Sequence, residues 1–166
     1  GGTNYEYEVS PGGDRYRRGV YVVIKRGAPY PSFINFDASA RLTCTTERSR
    51  SNTPLQALTL LNDPVYVEAT KALAVRAATD AQHQSLESAI EAAFRRVTAR
   101  RPRVSETRTL VQLYQDQLRA VTESPKTANQ LITDVQLPRD VSPADFSAWY
   151  SVATVLMNLH ETITKE

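Results

Sequence analysis

The run Ser51-Asn52-Thr53-Pro54-Leu55-Gln56-Ala57-Leu58-Thr59-Leu60-Leu61-Asn62-Asp63-Pro64 constrains this chain more than any other stretch. Thr53 is a strong N-cap, and Pro54 suits the first helical position, where a missing N–H costs nothing. Gln56 stands three residues after Thr53, so the two can cap each other reciprocally. Leu55, Leu58, Leu60 and Leu61 are too many for one narrow stripe, which predicts a short helix buried nearly all round. Pro64 ends it, because it lacks an N–H for the carbonyl four residues back and drives Asp63 out of the helical region. Asp63 then caps a second helix that starts at Pro64, and the product is a sharp corner with Asn62 and Asp63 at its turn.

Size and charge bound what can be built around that corner. A chain of 166 residues suits one domain, and such a domain buries roughly 70% of its unfolded surface. The net charge of +2 is too small to argue for nucleic acid or anionic lipid as a partner. The charge is uneven, however: residues 1–51 carry 8 basic and 5 acidic groups, which leaves 12 and 13 for the remainder. Cys44 is the only cysteine, so no internal disulfide, thiolate zinc site or Cys-x-x-Cys-His haem attachment can form. A lone cysteine of this kind reads as a small buried apolar group. His83 and His160 lack the His-x-x-x-His spacing of a metal site, and no cofactor is assigned. No run approaches 18 apolar residues, so this segment has no membrane span. The opening Gly1-Gly2-Thr3-Asn4 reads as the interior of something longer or as an artificial edge.

Along the chain, residues 5–9 alternate like a strand, Pro11-Gly12-Gly13-Asp14 is a turn, and Gly19–Ile24 is β-branched and aromatic. A hairpin is one reading. A helix with Tyr16, Val20, Val23 and Ile24 on one face is the rival, and the pattern does not separate them. Two prolines predict an extended Ala28–Ser32, after which Phe33, Ile34 and Phe36 pin the chain to a core. Residues 37–51 read as a surface loop.

From Asn52 the reading is helical. The helix begun at Asp63 extends to about Ala78 with Val65, Ala69, Ala72 and Leu73 as its apolar face. Ser85 caps a third helix carrying Leu86, Ile90, Ala93, Phe94 and Val97. Its end is marked by Arg95, Arg96, Arg100 and Arg101, cations that complement the helix dipole. Ser105 caps a fourth with Leu110, Val111, Tyr114, Leu118 and Val121, and Pro125 starts a short fifth with Leu131 and Ile132. Ser142, Pro143 and Asp145 begin the last helix, whose Phe146, Trp149, Tyr150, Ala153, Leu156 and Met157 form a wide face. The expected fold is therefore mainly α. A compact bundle of about five to six helices over 52–166 carries an irregular Tyr- and Arg-rich arm over 1–51, part of the same domain.

Several motifs together resemble a known family. Asp14-Arg15-Tyr16-Arg17-Arg18, Lys25-Arg26, Pro29-Tyr30-Pro31 and Phe36-Asp37-Ala38 precede Cys44, Arg48 and the Asn52–Pro64 run. Ala93-Phe94-Arg95, Arg101-Pro102, Ala148-Trp149 and Asn158-Leu159 follow. This order resembles the planctomycete-specific C-terminal domain of unknown function. The resemblance implies a mainly helical module in large exported proteins, often beside another planctomycete-specific domain and a cytochrome-c-like module. It implies an extracytoplasmic location, periplasmic or cell-surface, and supplies no catalytic residue.

The candidate groups are few. Tyr16, Arg17, Arg18, Tyr21, Lys25, Arg26 and Tyr30 make a basic-aromatic cluster suited to a neighbouring domain, since Tyr and Arg dominate interface hot spots. Arg48 and Arg50 could grip an anion, although a solvated loop or pairing with Asp37 or Asp63 explains them more simply. Asn52, Gln56, Asn62 and Asp63 could line a polar pocket, but Thr53, Gln56, Asn62 and Asp63 already have capping roles. Glu87, Glu91 and Glu161 read as ordinary exposed helix acids. The first functional reading is a non-catalytic structural or interaction module that docks on upstream domains of its own polypeptide or on a partner protein. Carbohydrate binding or hydrolysis is the alternative; hydrolysis would need facing carboxylates from among Asp37, Glu47 and Asp63. An accessory role in electron transfer by a separate haem domain is a third.

Overall fold

The computed structural model describes residues 10, 12–24, 29–39, 44, 46–47, 50–124 and 134–164. Among them are two short 3-10 helices, Gly12–Tyr16 and Gly19–Tyr21, and seven α-helices: α1 (Pro31–Asn35), α2 (Pro54–Asn62), α3 (Pro64–Ala81), α4 (Leu86–Thr98), α5 (Val104–Glu123), α6 (Pro143–Met157) and α7 (His160–Ile163). No strand occurs among the described residues. The mainly helical architecture with an irregular N-terminal segment is as the sequence predicts. The strand proposed over residues 5–9 and the helix proposed after Pro125 lie outside the described residues. The chain divides into two units, residues 1–56 and 57–166.

In the second unit the large anchors come from α6. Phe146, Ser147, Ala148, Trp149, Val152, Ala153 and Leu156 are all buried on it. That set covers most of the helix circumference, so α6 must be enclosed, and it packs against both α3 and α5 while α4 bridges those two. Trp149 meets the Tyr114 ring at 5.0 Å between centroids. Burying an aromatic of this size contributes about 3 kcal/mol relative to leaving it in water. Helix α3 meets the core through Thr70, Ala74, Ala77 and Ala78, not through the face read from the sequence, whose Ala69 and Ala72 are exposed. Small side chains at these positions allow close approach of a neighbouring helix, so bulk does not mark the contact face of α3. The Thr70 hydroxyl satisfies itself on the Tyr66 carbonyl at 2.8 Å.

The caps follow local chemistry. Asp63 Oδ1 accepts from the Val65 N–H at 2.9 Å with extended backbone (ψ 128°), so α2 and α3 are separate helices. Ser85 and Ser142 hold the N–H groups of Ser88 and Asp145. Ser105 does not cap α5; the helix begins earlier, at Val104, with Arg103 as N-cap. Glu106 makes this possible by accepting from the Arg103 N–H at 2.6 Å. An arginine side chain has no acceptor to return, so this box is one-sided.

In the first unit, Gly19–Tyr21 is a 3-10 turn, neither the strand nor the longer helix weighed from the sequence. Pro31, expected in extended chain, instead opens α1, where its fixed φ suits the first helical position. The end of α1 is a Schellman motif: Ala38 N–H donates to the Phe33 carbonyl at 2.8 Å and Asp37 N–H to the Ile34 carbonyl at 3.2 Å. Asp37 occupies the left-handed position of that motif, at φ 57°.

Candidate functional site

Asp37 turns its side chain toward the start of α2. Its Oδ2 accepts from both the N–H and the hydroxyl of Ser51, each at 2.7 Å. Gln56 closes the arrangement from the first turn of α2. Its Nε2 donates to the Asn35 carbonyl at 2.8 Å, to Ser51 Oγ at 3.1 Å and more distantly to Asp37 at 3.4 Å. Its Oε1 accepts from the Thr53 N–H at 3.2 Å, and the Thr53 hydroxyl accepts from the Gln56 N–H at 3.3 Å. The reciprocal cap read from the sequence is present, but it is part of something larger. Gln56 also satisfies a carbonyl that the end of α1 leaves without a helical partner. It is 1% exposed, and it is the one fully buried side chain among the described residues of this unit.

Of the residues weighed for a polar pocket, Gln56 is taken up by the contacts just described. Asn52 is exposed, Asn62 Nδ2 turns back onto the Leu58 carbonyl at 2.8 Å, and Asp63 caps α3. The expectation of an all-round buried α2 is also corrected. Leu60 is buried, whereas Leu55, Leu58 and Leu61 face solvent. Cys44 is exposed too, against its reading as a buried apolar group.

The basic-aromatic arm is carried by the two 3-10 turns. Tyr16 and Tyr21 are 57% and 62% exposed. The Arg15 guanidinium lies 4.8 Å from the Tyr16 ring centroid, and that of Arg18 lies 5.7 Å from the Tyr21 ring. Arg17 pairs with Asp14 at 2.8 Å. Gly19 sits against α1 so closely that a Cβ there would meet Phe33 Cε1 at 2.8 Å. The absence of a side chain at Gly19 is what lets the second turn rest on Phe33. Tyr30 stands apart from the exposed pair, half-buried and edge-on to Phe33 at 5.5 Å. Arg50 is exposed; Lys25, Arg26 and Arg48 lie outside the described residues.

The strongest charge cluster belongs to the second unit, and sequence reading missed it. Arg100 forms two bidentate pairs at once, with Glu106 at 2.9 and 2.7 Å and with Glu161 at 2.7 and 2.5 Å. It also lies 4.7 Å from the Phe94 ring centroid. The Arg100 hydrogen bonds, with the Arg103 N–H second, lower the Glu106 carboxyl to about 2. Glu161, read as an ordinary surface acid, is thus one jaw of a clamp joining the α4–α5 turn to α7, and Glu91 pairs with Arg101 at 3.4 Å. Tyr114 donates to Asp145 at 2.8 Å, and burial followed by that bond pushes its hydroxyl up.

Asp37 is committed to Ser51 and Gln56, and Asp63 to its cap. Among the described residues no group of three or more His, Cys, Asp or Glu could hold a metal ion, and no helix is long and apolar enough to cross a membrane. An open groove of about 460 Å³ runs along Gln115, Leu118, Arg119, Thr122 and Glu123 of α5. A family model described as PSD1, protein of unknown function (DUF1553), matches residues 3–114. No curated protein and no solved structure matches the chain.

Proposed function

The chain belongs to the PSD1 family of proteins of unknown function, DUF1553, and from that premise we propose that it is a non-catalytic docking module. The observation that carries this reading is the imbalance of the first unit. Its described residues enclose one polar side chain, Gln56, and leave Tyr16, Val20, Tyr21 and Val23 exposed. Isolated exposed apolar residues need no explanation, but with Val22 these make five within eight positions, which form a patch. The flanking Arg15, Arg17 and Arg18 give the patch the composition of an interface hot spot. Stacking of Arg15 and Arg18 on the tyrosine rings orders those side chains in advance, which lowers the entropy cost of docking.

The partner that fits is a protein surface with apolar pockets for the exposed tyrosines and valines and acceptors at its rim for the arginine side chains beside them. The family resemblance supports finding that surface upstream in the same polypeptide, within an exported planctomycete protein that can carry a cytochrome-c-like module. Hydroxyl-radical footprinting of the full-length gene product against this chain alone tests the reading. Tyr16 and Tyr21 should be protected in the longer protein, and equal labelling of both tyrosines in the two samples would sink it.

A further inference from the structure

Helix α2 is turned inside out. Its buried positions are Gln56 and Leu60, while Leu55, Leu58 and Leu61 on the other side are 54%, 56% and 47% exposed. At 3.6 residues per turn, Gln56 and Leu60 each lie about 160° from Leu58, and Leu55 and Leu61 each lie about 60° from it. The solvent side therefore carries what a helix normally hides. Nothing ionisable interrupts it: Ser51 to Asn62 contains no Asp, Glu, Lys or Arg.

We propose that this face is an interface between two copies of the chain, α2 lying antiparallel to α2 of the second copy about a two-fold axis at Leu58. The face is self-complementary. In a two-fold interface residue i meets j and j meets i. The leucine spacing reads the same from either end, so antiparallel pairing sets Leu58 against Leu58 and Leu55 against Leu61 in both directions. Charge points the same way. A charged face meets its own copy with like charges opposed across the axis. The α2 face is neutral and brings none together. This inference rests on a different surface from the docking arm and stands or falls without it.

Three half-exposed leucines make a small contact, and small interfaces are weak and transient. Sedimentation equilibrium of the whole chain over roughly 10 μM to 1 mM should therefore show a monomer–dimer equilibrium, within the range expected of a small interface. Leu58→Glu places two carboxylates on the axis and should weaken association at least ~10-fold, while circular dichroism shows the fold retained because the site is exposed. In a Cys44→Ser background, Leu58→Cys should give a disulfide-linked dimer on mild oxidation, since residues on the axis face each other; Thr53→Cys should not. A chain that sediments as a monomer throughout, or a dimer that survives Leu58→Glu and fails to cross-link at 58, would overturn the proposal. Should Leu58→Glu unfold, Leu58→Gln and the cysteine pair decide between the same two outcomes.

Discussion

Replacing Gln56 with leucine tests whether a buried amide, rather than an apolar core, organises the first unit. The swap keeps side-chain volume roughly constant, so it adds little cavity or overpacking cost. It removes four hydrogen bonds: to Asn35 at 2.8 Å, to Ser51 at 3.1 Å, from Thr53 at 3.2 Å and, weakly, to Asp37 at 3.4 Å. Each is worth ~0.5–1.5 kcal/mol net, with the long ones at the low end, and the partners are left wanting. The loss is about 3 kcal/mol, which by the tenfold-per-1.4 rule is roughly 100-fold in a local opening equilibrium. Amide hydrogen exchange reads this directly. The N–H groups of Asp37, Ala38 and Ser51, bonded to Ile34, Phe33 and Asp37 respectively, should exchange up to ~100-fold faster in Gln56→Leu, while α6 amides such as that of Val152 keep their rates. Unchanged exchange at those three amides would refute the reasoning, and so would equal acceleration in α6.

Three further outcomes follow from particular contacts. Glu106 is held at about 2 in the folded chain, below its ordinary value of 4.5, so its stabilising effect is present above about pH 4.5 and is lost as the pH falls toward 2. Urea midpoints of Glu106→Gln should accordingly lie below those of the parent at neutral pH, and the gap should close in acid. Ala99 ends α4 in the left-handed region at φ 63°; Ala99→Gly should raise stability by about 0.5 kcal/mol in thermal melts, relief of the strain slightly exceeding the extra entropy that glycine gives the unfolded chain. Gly19→Ala would drive a methyl to 2.8 Å from Phe33, so trypsin should cut faster after Arg17 and Arg18 in that variant than in the parent.

How far the fold can be read from sequence depends on how far apart the interacting residues stand. The caps at Asp63, Ser85 and Ser142 span two or three residues and are legible from short rules. Trp149 is legible as the main anchor because one large side chain has few other places to go. Gln56 is recognisable as a cap but not as a buried knot, since its other partners, Asn35 and Asp37, lie 21 and 19 residues earlier. The Arg100–Glu161 pair spans 61 residues and leaves no local trace. Periodicity assigns the leucines of α2 to a core because it counts residue types and does not say which side the neighbours occupy. For α3 the informative signal is the spacing of Thr70, Ala74, Ala77 and Ala78, small residues that pack closely and carry little weight on a hydropathy scale. In the arm, composition identifies Tyr16, Arg17, Arg18 and Tyr21 as surface groups, while Tyr30 turns inward to Phe33 for reasons that only the chain path reveals.

The helix that α3 and α5 enclose is made late. Residues 143–157 leave the ribosome after every other long helix of the second unit has already emerged. Until then α4 links α3 and α5, but the faces that receive α6 lack their partner, and the nascent chain must wait in a sticky, half-assembled state where chaperones find their clients. A frameshift or premature stop ahead of Pro143 would therefore remove the keystone rather than trim an edge, and the product would be cleared by proteases instead of persisting as a shortened domain.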